Sequence, residues 1–209
     1  MKYSNELSSL VINNIFEIER SVLVLDEVEH TIQKKINELF KEKIDGVILL
    51  AKDSSLNAHK EKGLYFSDEQ WVDSENETFA FYDFCTSNET SEYSGETVEP
   101  RWLSFACGYT ASSSINIGFN IQHKKLGLRK DNFKKQLAEQ YNKYPYLQEL
   151  GFRISSNGLY IIKDFILDKS LLAKEYPNEL DQSLQPIESS INALLEAHCD
   201  FCSIATSFK

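Results

Sequence analysis

Apolar residues recur at Val11, Ile15, Ile18, Val22 and Leu25, and again at Ile32, Ile36 and Leu39. Steps alternating between four and three place these side chains on one side of a helix, in a heptad-like stripe. Glu29 occupies the one skipped slot. The pattern predicts helix over residues 1–43, as one long helix or as two packed helices, with Asp26 and Glu29 capping the second. The β-branched run Val22–Leu25 also fits a strand. A stripe of this spacing serves as a core face or as a seam between two copies of the chain.

Beyond it the period changes. Asp45-Gly46 reads as a turn and Val47–Ala51 as a short strand buried on both faces. Phe79–Cys85, Arg101–Tyr109 and Ile115–Gln122 read as further strands, the last two joined through Thr110–Ser114 as a hairpin. In the last strand Ile115, Ile117, Phe119 and Ile121 alternate with Asn116, Gly118, Asn120 and Gln122, which predicts one buried and one wet face. A helix is expected at about 131–143, with Phe133, Leu137 and Tyr141 four apart, and Pro145 opens a short helical turn. Ser156-Asn157-Gly158 joins 151–155 to 159–167 as a second hairpin. Asp168 caps a helix over 169–175, Pro177 interrupts it, and Pro186 opens a last helix to about 204.

Together these elements predict an α+β fold over 1–209 as a single domain: an N-terminal long helix or helix pair, a single mainly antiparallel sheet of about five to six strands, and a C-terminal helix packed on one face. Residues 53–78 and 86–100 are expected to be irregular acidic excursions. Strands and helices do not alternate, which argues against a Rossmann-type sheet.

Composition changes the picture in one place. The net charge of −10 is concentrated in residues 63–100, which hold ten acids and no base. The same stretch carries Trp71, Phe79, Phe81, Tyr82 and Phe84, unlike an aromatic-poor disordered tail. The expectation is an acidic, aromatic-bearing surface that repels nucleic acid and attracts a basic protein. Its contact residues would be Asp68, Trp71, Asp73, Glu75, Glu77, Asp83 and Glu92. The apolar runs are short of the ~20 residues of a membrane span, no signal peptide is read at the N-terminus, and four cysteines lack scaffold spacing. A cytoplasmic protein with reduced thiols is expected.

Three groupings carry candidate chemistry. His198-Cys199-Asp200-Phe201-Cys202 offers zinc or redox ligands, but His198 and Cys202 also continue the apolar stripe Ile187, Ile191, Leu194, so core cysteines are the favoured reading. A redox CxxC belongs at a helix N-terminus, whereas this one is expected near a C-terminus. Gln122 and Lys124, with Asp83 from a neighbouring strand, resemble the donor set of a metal-dependent nuclease. Lys124, Lys125, Arg129, Lys130, Lys134 and Lys135 form a basic segment suited to phosphates, to the acidic stretch or to solvent. No phosphate loop, nucleophile elbow or zincin motif is present.

The sequence therefore points to a non-enzymatic interaction module, an inhibitor, immunity-type protein or chaperone-like adaptor that binds a basic protein partner without a cofactor. The alternatives are a metal-dependent enzyme using Asp83, Gln122 and Lys124, and a structural homodimer joined through Val11, Ile15, Ile18, Val22 and Leu25.

Overall fold

The computed structural model describes residues 4–44, 49–50, 64–88, 101–108 and 113–209. The chain opens with α1 (Asn5–Asn13) and α2 (Ile15–Ile44), separated only at Asn14. Ser4 caps α1 through its hydroxyl, which accepts from Leu7 N at 3.2 Å. The Ile18 N–H still reaches the Asn14 carbonyl at 3.0 Å, so the pair acts as one bent helix. Both predicted forms, one long helix and a pair, describe part of this arrangement. The Val22–Leu25 strand does not form.

The sheet holds β1 (Leu49–Leu50), β2 (Leu64–Ser67), β3 (Ala80–Asn88), β4 (Ser113–Ile121), β5 (Arg153–Ile154) and β6 (Tyr160–Phe165) in the order β1-β2-β3-β4-β6-β5, with every pair antiparallel. The α+β expectation and the single antiparallel sheet hold. Four details differ. Part of 53–78, taken as irregular, contains β2, paired with β3 through Tyr65 opposite Asp83. β3 also runs on to Asn88, into the stretch taken as the 86–100 excursion. Arg101–Tyr109, taken as a strand, contains instead the short helix α3 (Trp102–Ala106). Trp102 and Ala106, four apart, are both buried, and the Ala106 carbonyl accepts from Leu167 N at 2.7 Å. An apolar run of this length suits either period, and the docking decides. β4 therefore pairs with β3 and β6 rather than with 101–109.

The fourth difference concerns the wet face of β4. Ile115, Ile117, Phe119 and Ile121 do face the core, but Asn116 and Asn120 are buried as well. β4 is central, and the neighbouring strands set Phe81 and Tyr160 opposite Asn120, and Asp164 opposite Asn116. Polar groups removed from water need partners. Asn120 Nδ2 donates to Asp83 Oδ2 at 2.8 Å.

The remaining helices are α4 (Lys130–Tyr141), α5 (Pro145–Glu149), α6 (Lys169–Glu175), α7 (Asp181–Glu196) and α8 (His198–Thr206). Asp168 caps α6 as expected, its Oδ1 accepting from Ser170 N at 2.8 Å and Leu171 N at 3.2 Å. Pro186 lies inside α7, which begins at Asp181 instead of at the proline. Glu175 Oε2 accepts from Ser183 N at 2.9 Å and thus serves the helix N-terminus. The last helix is divided at Ala197, the C-cap of α7 and N-cap of α8, so Cys199 and Cys202 lie in the first turns of a helix and not near a C-terminus as expected.

The core forms between one face of the sheet and α2, α7 and α8. Phe40 of α2 meets Phe66 and Phe84, and Phe201 of α8 meets Tyr82 and Phe119, with ring centroids 4.9–5.6 Å apart. Offset and edge contacts of this kind add to the burial that drives them together.

Candidate functional site

The turn that follows β2 brings Asp68 and Trp71 inward. Asp68 Oδ1 accepts from Gln70 N at 2.7 Å, and its carbonyl accepts from Trp71 N at 3.1 Å, which closes the turn. The second carboxylate oxygen reaches His198, the first residue of α8: Asp68 Oδ2 lies 3.0 Å from His198 Nε2. Both side chains are almost enclosed, at 14% and 15% exposure. The other ring nitrogen, His198 Nδ1, lies 2.8 Å from the Tyr82 hydroxyl. One turn along α8, Cys202 Sγ lies 3.5 Å from the same Nε2. Positions four apart on a helix share a face, which is why His198 and Cys202 converge while Cys199 is exposed. Carboxylate, imidazole and thiol thus gather around one point, their donor atoms all within 4.8 Å of one another.

Trp71 closes the cluster from the core side. Its ring packs on Tyr82, Phe119 and His198 with centroids 4.9, 5.2 and 5.6 Å away. The indole Nε1 is buried and faces the Cys202 thiol, a weak acceptor. Burial first, and the Asp68 charge second, push the Cys202 thiol up to about 11, with the Trp71 indole acting in the opposite direction. Burial also holds the Tyr82 phenol well above its ordinary range. A thiol so fully protonated at neutral pH is a poor nucleophile. The imidazole also meets carboxylate and thiol through the same nitrogen, so the relay of a Cys-His-Asp triad is not built here.

The other residues expected at a partner surface are dispersed. Trp71, at 2% exposure, is core, and Asp68 is engaged by His198. Asp73, Glu75 and Glu77 are brought together on one tight loop, where Asp73 Oδ1 accepts from Glu75 N and Glu77 N at 2.9 Å. With Val72, Lys125, Leu126 and Lys209 they line a shallow cleft of about 740 Å³. Its charge is mixed, since Lys125 Nζ pairs with Glu77 at 3.2 Å. The same Nζ donates to the Thr78 carbonyl at 3.1 Å, so the basic segment meets the acidic stretch at this cleft. Asp83 lies on the outer sheet face, and Glu92 lies outside the described residues. The expected aromatic surface is largely inverted: Phe66, Trp71, Phe79, Tyr82 and Phe84 are buried. Alternation in β2 and β3 sends Phe66, Tyr82 and Phe84 to the core, while Trp71 and Phe79 lie in the connection between those strands.

The nuclease-like set does not assemble. Asp83 is opposite Gly118, and Gln122 is four residues further on, just past the end of β4. That separation is roughly 13 Å at about 3.3 Å per residue, too far to share an ion.

A second feature is the start of the chain. No residue of α1 is buried, and the buried side of α2 begins only at Glu29. Ten large apolar side chains between Leu7 and Val24 are at least 40% exposed, with Phe16 at 80%. Arg101 fixes the base of this arm. It binds Asp26 through one guanidinium nitrogen and Glu29 Oε2 through another, the latter at 2.5 Å. The heptad stripe was legible in sequence, but its lack of cover from Leu7 to Val24 was not. No helix among the described residues is long and apolar enough to cross a membrane. No known protein family, curated protein or solved structure matches the chain.

Proposed function

We propose that this protein is a non-enzymatic interaction module that takes a basic protein partner on its N-terminal helical arm. The observation that carries the reading is the uncovered apolar surface between Leu7 and Val24 on a helix anchored at its base by Arg101. Apolar patches of this extent mark interaction sites in soluble proteins. Glu6, Glu17, Glu19 and Glu27 accompany that surface against Arg20, with Asp26 paired to Arg101 at its base, so an amphipathic helix with basic flanks complements it in both hydrophobicity and charge. The loop bearing Asp73, Glu75 and Glu77 extends the same charge elsewhere on the surface. An inhibitor, an immunity-type protein or a chaperone-like adaptor would use such an arm. Free thiols at Cys107, Cys199 and Cys202 support a reducing compartment such as the cytoplasm.

A second reading, a homodimer, draws on the heptad spacing of Val11, Ile15, Ile18, Val22 and Leu25, which would pair two arms in a coiled coil. Light scattering combined with anisotropy of a fluorescent Leu/Lys amphipathic peptide tests both. A monomer that binds the peptide, more weakly at high salt, supports the first reading. A dimer that dissociates when Ile15 and Val22 become Glu supports the second. A monomer indifferent to the peptide overturns both.

A further inference from the structure

We propose that Asp68, His198 and Cys202 form a binding site for a zinc-type divalent ion, independent of the arm. The three donors come from two elements far apart in sequence: the turn after β2 and the first two turns of α8. Around a tetrahedral zinc with bonds of about 2.0–2.3 Å, donor atoms lie roughly 3.3–3.6 Å apart. The Nε2 to Sγ separation of 3.5 Å falls in that range, and the Nε2 to Oδ2 separation of 3.0 Å needs only a small opening. Carboxylate, imidazole and thiolate together suit zinc and its neighbours rather than magnesium or calcium, which require oxygen donors.

Two further features belong to a metal centre more than to a hydrogen-bonded core. A ligating imidazole is held through its second nitrogen by an oxygen partner, and His198 Nδ1 has the Tyr82 hydroxyl at 2.8 Å. A hydroxyl donates or accepts, so Tyr82 holds either tautomer of the ring. With the proton on Nδ1, the Nε2 lone pair turns toward Asp68 and Cys202. The second feature is the buried Trp71 Nε1, whose hydrogen-bonding neighbour is the Cys202 thiol. A buried donor served only by a weak acceptor is costly. The thiol beside it is a weak acceptor, whereas a metal-bound thiolate is a strong one. Metal binding releases the Cys202 proton to solvent and gives the indole a strong acceptor in place of a weak one.

Cys199 is left out of the set. It faces solvent, and the three protein donors leave a fourth position for water. The site would clamp the turn at Asp68 to α8, reinforcing the bond from Lys209 Nζ to the Gln70 carbonyl at 2.7 Å.

The test is titration of the chelator-treated full chain with Co²⁺ alone, read by absorbance. The expected result is one equivalent bound, with a thiolate-to-cobalt charge-transfer band and the intense visible bands of four-coordinate cobalt. Zn²⁺ should abolish both bands and raise the melting temperature. Cys202→Ser should lose the charge-transfer band, and His198→Gln should weaken binding at least tenfold. Cys199→Ser should leave spectrum and affinity unchanged. Folding of each variant is followed by circular dichroism. If folded wild-type protein gives no cobalt band, if the band survives in Cys202→Ser, or if Cys199→Ser removes it, the assignment is overturned.

Discussion

Asp68 and His198 are 130 residues apart in sequence and meet at 3.0 Å, carboxylate Oδ2 to ring Nε2. That contact ties an acidic turn to the last helix and explains why an expected surface acid is turned inward. The ring is held from the other side by Tyr82. Tyr82→Phe keeps the packing but deprives His198 Nδ1 of its partner. The apo protein should lose about 1–2 kcal/mol, the usual cost of a buried polar group left unpaired. Urea unfolding with an unchanged m-value checks this.

Cys202 and Cys199 should differ in reactivity. Burial and the nearby Asp68 charge hold the Cys202 thiol protonated up to about 11, while Cys199 is exposed. Iodoacetamide at pH 8, followed by peptide mass spectrometry, should label Cys199 well before Cys202. The linkage has a definite sign. Once unfolded, the Cys202 thiol ionises near its ordinary value of 9.0, below its folded value. Its contribution to stability is therefore present below pH 9 and lost between pH 9 and about 11.

Arg101 should act as the anchor of the arm. Glu29 is buried, its Oε2 is bound by Arg101, and its Oε1 has no partner. Arg101→Ala leaves that carboxylate enclosed without a cation, at an expected cost of about 2 kcal/mol. Adding Glu29→Gln should recover part of the loss. A double-mutant cycle by chemical denaturation reads the coupling.

Gly118 makes room for a carboxylate. A Cβ built there would lie 2.6 Å from Asp83 Oδ1 and 3.3 Å from Ile162 Cγ2. Gly118→Ala should displace Asp83 from Asn120 and cost about 1–2 kcal/mol through overpacking. Asp83→Ala in the same chain should relieve most of it, since the nearest obstacle is then gone. Equal losses with and without Asp83 would disprove this account.

The arm should be separable from the body. Because burial on α2 starts at Glu29, a chain beginning at Leu25 should melt within about 2 °C of the full chain. The same truncation should abolish peptide binding or dimerisation, whichever the intact protein shows. A large fall in melting temperature would mean that the arm belongs to the core.

Local chemistry determined much of this architecture. The alternation of Ile115, Ile117 and Phe119 fixes the core face of β4, because side chains in a strand point to opposite sides in turn. Asn157-Gly158 makes its hairpin, with Gly158 at a φ of +73°, and Asp168 caps its helix. The stripe from Val11 to Leu25 likewise announces a helix with one apolar side. What the period cannot say is what that side meets. Ile32, Ile36 and Phe40 are fully buried in the core, while Ile15 and Val22 stay 44% and 46% exposed. The same limit applies to Trp102–Ala106, where an apolar run fits either period and the docking against Leu167 selects helix. It applies most to Asp68, His198 and Cys202. The helical spacing of the last two is visible in sequence, but the carboxylate arrives from 130 residues away. Only closure of the fold brings it there, since no local preference encodes a contact at that separation.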